Sequence, residues 1–90
     1  MKKYSLEFSE RFMREFRKLD KYTQKILRAW IGKNLENTEN PRAIGKGLTA
    51  NRSGQWRYRI GDYRLFCIID DNKLIILALT IGHRNRIYNK

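Results

Sequence analysis

Arginine alternates with large apolar residues in the segment 56–60 of this sequence. Arg57 and Arg59 stand between Trp56, Tyr58 and Ile60. A period of two predicts a β-strand with one polar and one apolar face, because successive side chains of a strand point to opposite sides. Arginine is well suited to bind phosphate, since its planar guanidinium donates hydrogen bonds to two oxygens at once. The segment therefore predicts a strand whose polar face could bind a polyanion.

Gly61 and Asp62 follow this strand and predict a two-residue hairpin turn. Glycine in the first position suits a type II′ turn, which joins two antiparallel strands tightly. The turn fixes the register, so that Arg59 lies opposite Arg64 and both share a face with Arg57. The predicted cross-strand pairs are Ile60–Tyr63, Arg59–Arg64, Tyr58–Leu65 and Arg57–Phe66.

Three arginines on one face of a sheet need an explanation. Like charges directly opposite each other destabilise a sheet by about 0.2–1 kcal/mol. Binding to a polyanion would offset that repulsion, whereas the alternative is a solvated polar face that happens to consist of arginine. The net charge favours a polyanion, because 20 Lys+Arg against 9 Asp+Glu give +11 at pH 7. Such a charge predicts a nucleic acid or an acidic protein as the partner.

The residues before the hairpin extend the basic region. No carboxylate occurs from residue 40 to residue 61, whereas Arg42, Lys46 and Arg52 fall within that stretch. Uninterrupted positive charge beside a basic sheet face is typical of a phosphate-binding track. The predicted RNA-binding residues are Arg42, Lys46, Arg52, Arg57, Arg59, Arg64 and, in the C-terminal tail, Arg86.

The chain lacks the residues of several common mechanisms. It has one histidine, His83, one cysteine, Cys67, and one adjacent acidic pair, Asp70 and Asp71. Zinc sites, two-metal sites and paired-carboxylate mechanisms need more ligands than these, so we predict neither a metal nor a cofactor. Arginines together with His83 and Tyr88 would suit cleavage of RNA, where the substrate's own 2′-hydroxyl is the nucleophile.

Nothing in the sequence predicts a membrane segment. Charged residues such as Glu7, Glu10 and Arg11 interrupt every apolar run near the N-terminus, which argues against a signal peptide. A lone cysteine cannot form an intramolecular disulfide. We therefore expect a cytoplasmic protein that does not bind membranes.

The remaining segments predict an α+β fold in one domain of residues 1–90. A weakly alternating strand is predicted over 3–8, followed by a helix that Ser9 caps and a second helix that begins at Asp20. Apolar residues recur at helical spacing in both helices, so each should pack one side on a sheet. A strand over 73–81 is predicted to be buried on both faces. The predicted architecture is two helices on one face of a small, mostly antiparallel four-stranded sheet.

Two motifs in the chain resemble those of a known family. The sequence W-R-Y-R-I-G-D-Y-R-L-F at 56–66 and the sequence I-G-H-R-N-R-I-Y at 81–88 look like those of the RelE/ParE superfamily of bacterial toxins. The resemblance covers essentially the whole chain and implies a RelE-like fold. It also implies a ribosome-dependent endoribonuclease that cleaves mRNA and is held inactive by an acidic antitoxin of the RelB or YefM type. Operator DNA would be bound only through the antitoxin complex.

The resemblance also assigns roles by position, and two departures from the family pattern limit them. The predicted catalytic residues are Arg57, Arg59, Arg64, His83, Arg84 and Tyr88. The best-known RelE has lysine where this chain has Arg57 and Arg59, and arginine is a poor proton donor or acceptor because it stays protonated. His83 also replaces a lysine. The arginines are therefore assigned to phosphate binding, and either His83 or Tyr88 to proton transfer or base stacking.

Two other functions remain open at this point. A ParE-like toxin that binds DNA gyrase and cleaves nothing would share the fold and the charge, although such proteins generally lack the basic and tyrosine positions retained here. A small basic module that binds RNA or DNA without chemistry would explain the charge but not the closing motif. In either case His83 would be a surface residue at a strand end and Tyr88 a packing residue of the tail.

Overall fold

One mixed β-sheet forms the centre of the computed structural model, which describes residues 2–87. The strands are β1 (Ser5–Phe8), β2 (Lys46–Gly47), β3 (Trp56–Ile60), β4 (Tyr63–Asp70) and β5 (Ile75–His83), and the helices are α1 (Glu10–Arg17), α2 (Lys21–Asn34) and α3 (Arg84–Ile87). The strand order is β1-β5-β4-β3-β2. Only β1 and β5 run parallel, so the prediction of a mostly antiparallel sheet is confirmed for these residues.

The sheet has five strands in the described chain, and the prediction of four was wrong. The additional strand, β2, has only two residues and pairs with Trp56 and Arg57. Trp56 holds this strand in place because its indole Nε1 donates a 2.8 Å hydrogen bond to the carbonyl of Ile44. A Cβ at Gly45 would collide with the same nitrogen, so only glycine lets the loop approach this closely. This contact between distant residues has no local signal in the sequence.

The hairpin of β3 and β4 has the predicted register. Arg59 lies opposite Arg64, and the other three predicted pairs are also present. Gly61 adopts a φ of 59°, as a type II′ turn requires of its first residue. Tyr58 and Leu65 face the helices and are each 1% exposed, so the apolar half of the alternation forms the core.

The predicted cap at Ser9 is present, and Asp20, predicted as the start of the second helix, caps it. The Ser9 hydroxyl accepts a 3.0 Å hydrogen bond from the amide of Phe12, and the Asp20 carboxylate accepts one of 3.1 Å from the amide of Thr23. Phe12 and Leu27 are buried against the sheet, which confirms that the helices pack on one face. Among residues 2–87, none of the helices has the length and apolar character that crossing a membrane requires.

The boundaries of two strands differ from the prediction. β1 begins at Ser5 rather than at residue 3, and β5 covers 75–83 rather than 73–81. The shift in β5 arises because Asp70 Oδ1 accepts 3.0 Å hydrogen bonds from the amides of Asn72 and Lys73, which prolongs the turn. Leu74 ends the turn with a φ of 56°.

The prediction that this strand is buried on both faces was also wrong. Leu77, which points away from the helices, is only partly buried, and its partner Ile68 on β4 is 40% exposed. The helices cover one face of the sheet and leave this part of the other face open to solvent. The open face is the one that carries the arginines.

Candidate anion-binding site

Basic side chains share the face of β2, β3 and β4 that points away from the helices. Cross-strand partners lie on the same face of a sheet, and the pairs Lys46–Arg57 and Arg59–Arg64 place these four residues together. We call this surface, together with Arg52, the arginine face. The predicted juxtaposition of Arg57, Arg59 and Arg64 is confirmed, while their role remains a prediction.

The loop of residues 48–55 folds over part of the arginine face. The amide of Leu48 donates to the carbonyl of Gln55 at 3.0 Å and closes the base of the loop. Its 3₁₀ turn, Ala50–Arg52, places the guanidinium of Arg52 4.2 Å from the ring centroid of Phe66, which is completely buried. Ala50 has a φ of 57°, a left-handed conformation that non-glycine residues rarely adopt and that tertiary contacts must hold.

A cavity of about 500 Å³ lies between this loop and the sheet. Arg52, Arg57, Arg59 and Arg64 line it, and no acidic residue is among the described residues around it. Four guanidiniums around one cavity without a described carboxylate make its interior strongly positive. Such a cavity attracts an anion.

Arg64 is the most constrained of these cations. Arg64 is 7% exposed, and its Nη1 donates to the carbonyls of Gly61 and Tyr63 at 3.2 Å each. Within the described chain its Nε is buried and has no hydrogen-bond partner. Burying a guanidinium without a counter-charge costs several kcal/mol in order of magnitude, roughly the penalty that a bound anion would remove. Arg64 is therefore the residue that most clearly indicates an anion-binding site here.

His83 lies on the opposite face of the sheet. It pairs with Tyr63, which shares the helix-covered face with Ile60, and the rings of His83 and Tyr63 meet edge to face at 5.5 Å. The Nδ1 atom accepts a 3.2 Å hydrogen bond from the amide of Asn85, so a neutral imidazole carries its proton on Nε2. The structure does not bring His83 together with the arginine face.

A second cavity, of about 690 Å³, lies beside His83 between α1 and the end of β5. Arg86 lines this cavity and is exposed. None of the arginines of the arginine face lines it. The predicted RNA-binding residue Arg86 is thus on the same side as His83, away from Arg64.

Arg42 is separated from the arginine face as well. Its Nη1 donates to Asp71 Oδ1 at 2.9 Å, and the hydroxyl of Tyr4 donates to the same oxygen at 2.7 Å. The hydrogen bond from Arg42, followed by that from Tyr4, lowers the pKa of Asp71. Arg42 also lies 5.9 Å from the ring centroid of Trp56, so its contacts are those of a residue that fastens the loop after α2.

The closing motif is described only in part. The amide of Arg84 donates to the carbonyl of Asp62 at 2.8 Å, which attaches the start of α3 to the hairpin turn, and the Arg84 side chain is exposed. Tyr88 lies outside the described residues. The predicted assembly of His83, Arg84 and Tyr88 into one site therefore remains a prediction for Tyr88.

Sequence reasoning missed two aromatic residues beside the arginine face. Phe66 is apolar, although its position in β4 lies on the polar face of the hairpin. An apolar residue there indicates that another part of the chain covers it, and the Arg52 side chain does so. Trp30 falls on the apolar stripe of α2, a position that predicts only packing, yet it also lines a cavity together with Arg57 and Arg59. Helical spacing identified the side of α2 on which Trp30 lies, but not that the sheet ends beside it.

Few groups in residues 2–87 are suited to metal binding or thiol chemistry. No cluster of three or more His, Cys, Asp or Glu side chains in that range could hold a metal ion. Burial raises the pKa of the Cys67 thiol to about 12, so the thiol is protonated at neutral pH and is a poor nucleophile.

Comparisons with known proteins place the fold in the RelE/ParE superfamily of toxins. A family model described as the ParE toxin of the type II toxin–antitoxin system parDE matches residues 6–88, and the chain therefore belongs to this family. A putative RelE-like toxin protein of Escherichia coli is 29% identical over 89 residues, which is 97% of this chain and 92% of that relative.

Solved structures are similar along nearly the whole chain. A chain of the toxin–antitoxin complex RelBE2 from Mycobacterium tuberculosis has a TM-score of 0.83 and 27% identity, with 93% of this chain and 94% of that chain covered. The isolated RelE toxin of E. coli has a TM-score of 0.71 and 26% identity, with 94% and 90% covered.

Proposed function

We propose that this toxin is a ribosome-dependent endoribonuclease that cleaves mRNA and that its arginine face binds the RNA phosphates. The observation that carries the proposal is Arg64, a buried guanidinium in a cavity where three further arginines and no described carboxylate converge. The similarity to RelE toxins over nearly the whole chain supports the proposal as well. RNA is favoured over DNA as a substrate because its 2′-hydroxyl supplies the nucleophile.

The proposed reaction needs few groups from the protein. The 2′-oxygen of the RNA attacks the neighbouring phosphorus, the bond to the 5′-oxygen breaks, and a 2′,3′-cyclic phosphate is left. Negative charge on the phosphate is greatest in the transition state, where Arg57, Arg59 and Arg64 would donate hydrogen bonds to its oxygens. One proton must leave the 2′-hydroxyl and another must reach the departing oxygen.

Tyr88 is the proposed group for proton transfer or base stacking. Arginine remains protonated at neutral pH and cannot accept the proton. His83 lies on the other face of the sheet, with its Nδ1 already accepting a hydrogen bond, which makes it the weaker candidate. The Arg84 amide is hydrogen-bonded to Asp62 in the hairpin turn that precedes Arg64, and its guanidinium would bind phosphate at the edge of the site.

An acidic antitoxin is the proposed protein partner. The net charge of +11 favours association with an acidic chain, and the similar RelBE2 structure is itself a toxin–antitoxin complex. We propose an antitoxin of the RelB or YefM type, through which alone operator DNA would be bound. The ribosome and its mRNA would be the targets of the free toxin in the cytoplasm.

Primer extension on a translated message tests the proposal. Induction of the wild-type chain should produce cleavage within translated regions, and Arg64→Ala should lower the rate about 100-fold, as loss of one transition-state donor does elsewhere. Arg64→Lys retains the charge but loses the paired donors, so it should rescue only part of the rate. Arg14→Ala is the matched control, because Arg14 is an exposed arginine on α1. Intact messages in the wild-type strain would contradict the endoribonuclease.

A gyrase-binding toxin is the second candidate, and two observations favour it. The matching family model is of the ParE type, and among the described residues no histidine, carboxylate or tyrosine lines the arginine-face cavity. Inhibition of DNA supercoiling by the purified chain, with messages left intact, would establish this alternative.

A further inference from the structure

The outer edge of β3 is only partly covered by β2. β2 pairs with Trp56 and Arg57, so in the described chain no strand lies beside β3 from Tyr58 onward. The hydrogen bond from the Leu48 amide to the Gln55 carbonyl shows that the backbone carbonyl of Gln55 points toward this outer edge of β3. Every second residue from Gln55 directs its backbone toward this edge, so the amide and carbonyl of Arg59 point to the uncovered side.

A cavity of about 340 Å³ lies at this edge. Trp30 of α2 forms one wall of the cavity and is partly buried, with its ring 5.9 Å from the ring of Tyr58. Lys46, Arg57 and Arg59 also line the cavity, and no acidic residue is among the described residues around it. The cavity therefore combines a flat apolar wall with three cations.

The edge cavity is continuous with the arginine face. Arg57 and Arg59 line both this cavity and the one under the loop of residues 48–55. A sugar-phosphate backbone that crosses the arginine face would reach Trp30 while remaining in contact with positively charged side chains. Single-stranded RNA has the matching chemistry, because each nucleotide joins a flat ring to a phosphate and its bases are free to stack on aromatic side chains.

We propose that the edge cavity is a nucleobase subsite for single-stranded RNA. The base stacks on the indole of Trp30, its polar edge meets the backbone amide and carbonyl of Arg59, and the adjoining phosphate binds the Arg59 guanidinium. Trp30 is thus an RNA-positioning residue that acts beside the reacting phosphate rather than on it. This subsite rests on the proposed binding of RNA to the arginine face.

Binding of a short unstructured RNA oligonucleotide to purified Trp30 variants tests the subsite. Trp30→Leu should weaken binding about 5- to 150-fold, as expected for loss of one stacked base, whereas Trp30→Phe should retain most of the affinity. The slope of log affinity against log salt should not change, because every phosphate remains bound. Binding of inorganic polyphosphate, which has no base, should be equal in all three proteins.

Tryptophan emission supplies a readout that does not depend on how well Trp30→Leu folds. The chain has two tryptophans, so a change in emission that RNA causes in the wild type and not in Trp30→Phe belongs to Trp30. The subsite would be overturned if the wild type and Trp30→Leu bound RNA with equal affinity. It would also be overturned if RNA bound without changing the emission of Trp30. Either result would leave the RNA-binding arginine face intact. Emission that responds to the purified antitoxin but not to RNA would overturn it and assign the edge to the protein partner. Failure of the wild type to bind RNA would overturn the subsite, whereas cleavage of translated messages tests the proposed function separately.

Discussion

Glu15 on α1 accepts a 2.6 Å hydrogen bond at its Oε1 from the hydroxyl of Thr80 on β5. The same oxygen accepts a 2.9 Å bond from the amide of Ile81. β1 has ended at Phe8, so here the Glu15 carboxylate serves a backbone group of β5 that a neighbouring strand would otherwise satisfy. Burial acts most strongly to raise the pKa of Glu15, but the hydrogen bonds from Thr80, Ile81 and Arg11 together outweigh it, and the pKa is lowered.

Replacement of Glu15 should destabilise the fold. Glu15→Ala leaves the buried amide of Ile81 without its acceptor, which should lower the free energy of unfolding by about 1–3 kcal/mol. Glu15→Gln preserves an oxygen at this position and should cost less. Urea unfolding followed by circular dichroism measures both, with the exposed Glu39→Ala as the control. Equal stability of Glu15→Ala and the wild type would show that water satisfies the end of β5.

The same hydrogen bonds predict a dependence of stability on pH. A carboxyl whose pKa is lower in the folded state than in the unfolded state stabilises the fold above its unfolded pKa, and that contribution is lost as the pH falls through the folded pKa. The ordinary pKa of this group is 4.5, so the loss should occur below about pH 4.5. The stability difference between the wild type and Glu15→Gln, measured at pH 7 and again in acid, should shrink at the lower pH. A difference that is constant with pH would exclude Glu15 as its source.

Arg59→Gln should separate stability from function. Removing one of two guanidiniums that face each other across β3 and β4 should stabilise the fold by about 0.2–1 kcal/mol. The same change should weaken RNA binding and reduce the salt slope of single-stranded RNA binding by about 0.7 for each phosphate that the variant no longer binds. Arg14→Ala should alter neither quantity appreciably. A less stable Arg59→Gln protein would show that Arg59 is held by favourable contacts rather than by selection for a ligand.

Variants of the two candidate proton-transfer residues should have unequal effects. His83→Gln should leave mRNA cleavage within about threefold of the wild type, because His83 faces away from the arginine face. Tyr88→Phe should lower the cleavage rate by about 10²–10⁴-fold while RNA binding persists, if its hydroxyl transfers the proton. Cleavage rates in a reconstituted translation reaction distinguish the two. A large loss with His83→Gln alone would place the proton acceptor on the other face of the sheet.

The parts of the fold with local signals were predictable from sequence. Alternation and a two-residue turn at Gly61 were sufficient for the hairpin register, and the caps at Ser9 and Asp20 follow from hydrogen bonds within one turn of helix. β2 was missed because a tryptophan elsewhere in the chain holds it. Glycine-containing segments are otherwise poor strand formers.

Only the part of the candidate site that lies on the β3–β4 hairpin was predictable from the sequence, because only there was the strand register predictable. The arginine face follows from the hairpin alone, whereas the position of His83 depends on where β5 ends. A strand that ended at residue 81 would leave His83 in a loop, free to turn toward the arginines. Because β5 continues to residue 83, the alternation of side chains commits His83 to the helix-covered face.

The parallel pairing of β1 with β5 has a consequence for how the protein is synthesised. Ser5 and Leu6 pair with Ile75 and Ile76, so the first strand emerges from the ribosome long before its partner is translated. At about 5–20 residues per second, the 70 residues between these partners take roughly 4–14 s to make. During that interval β1 has no strand partner and the five-stranded sheet is incomplete. The arginine face therefore rests on a complete sheet only after β5 has been synthesised.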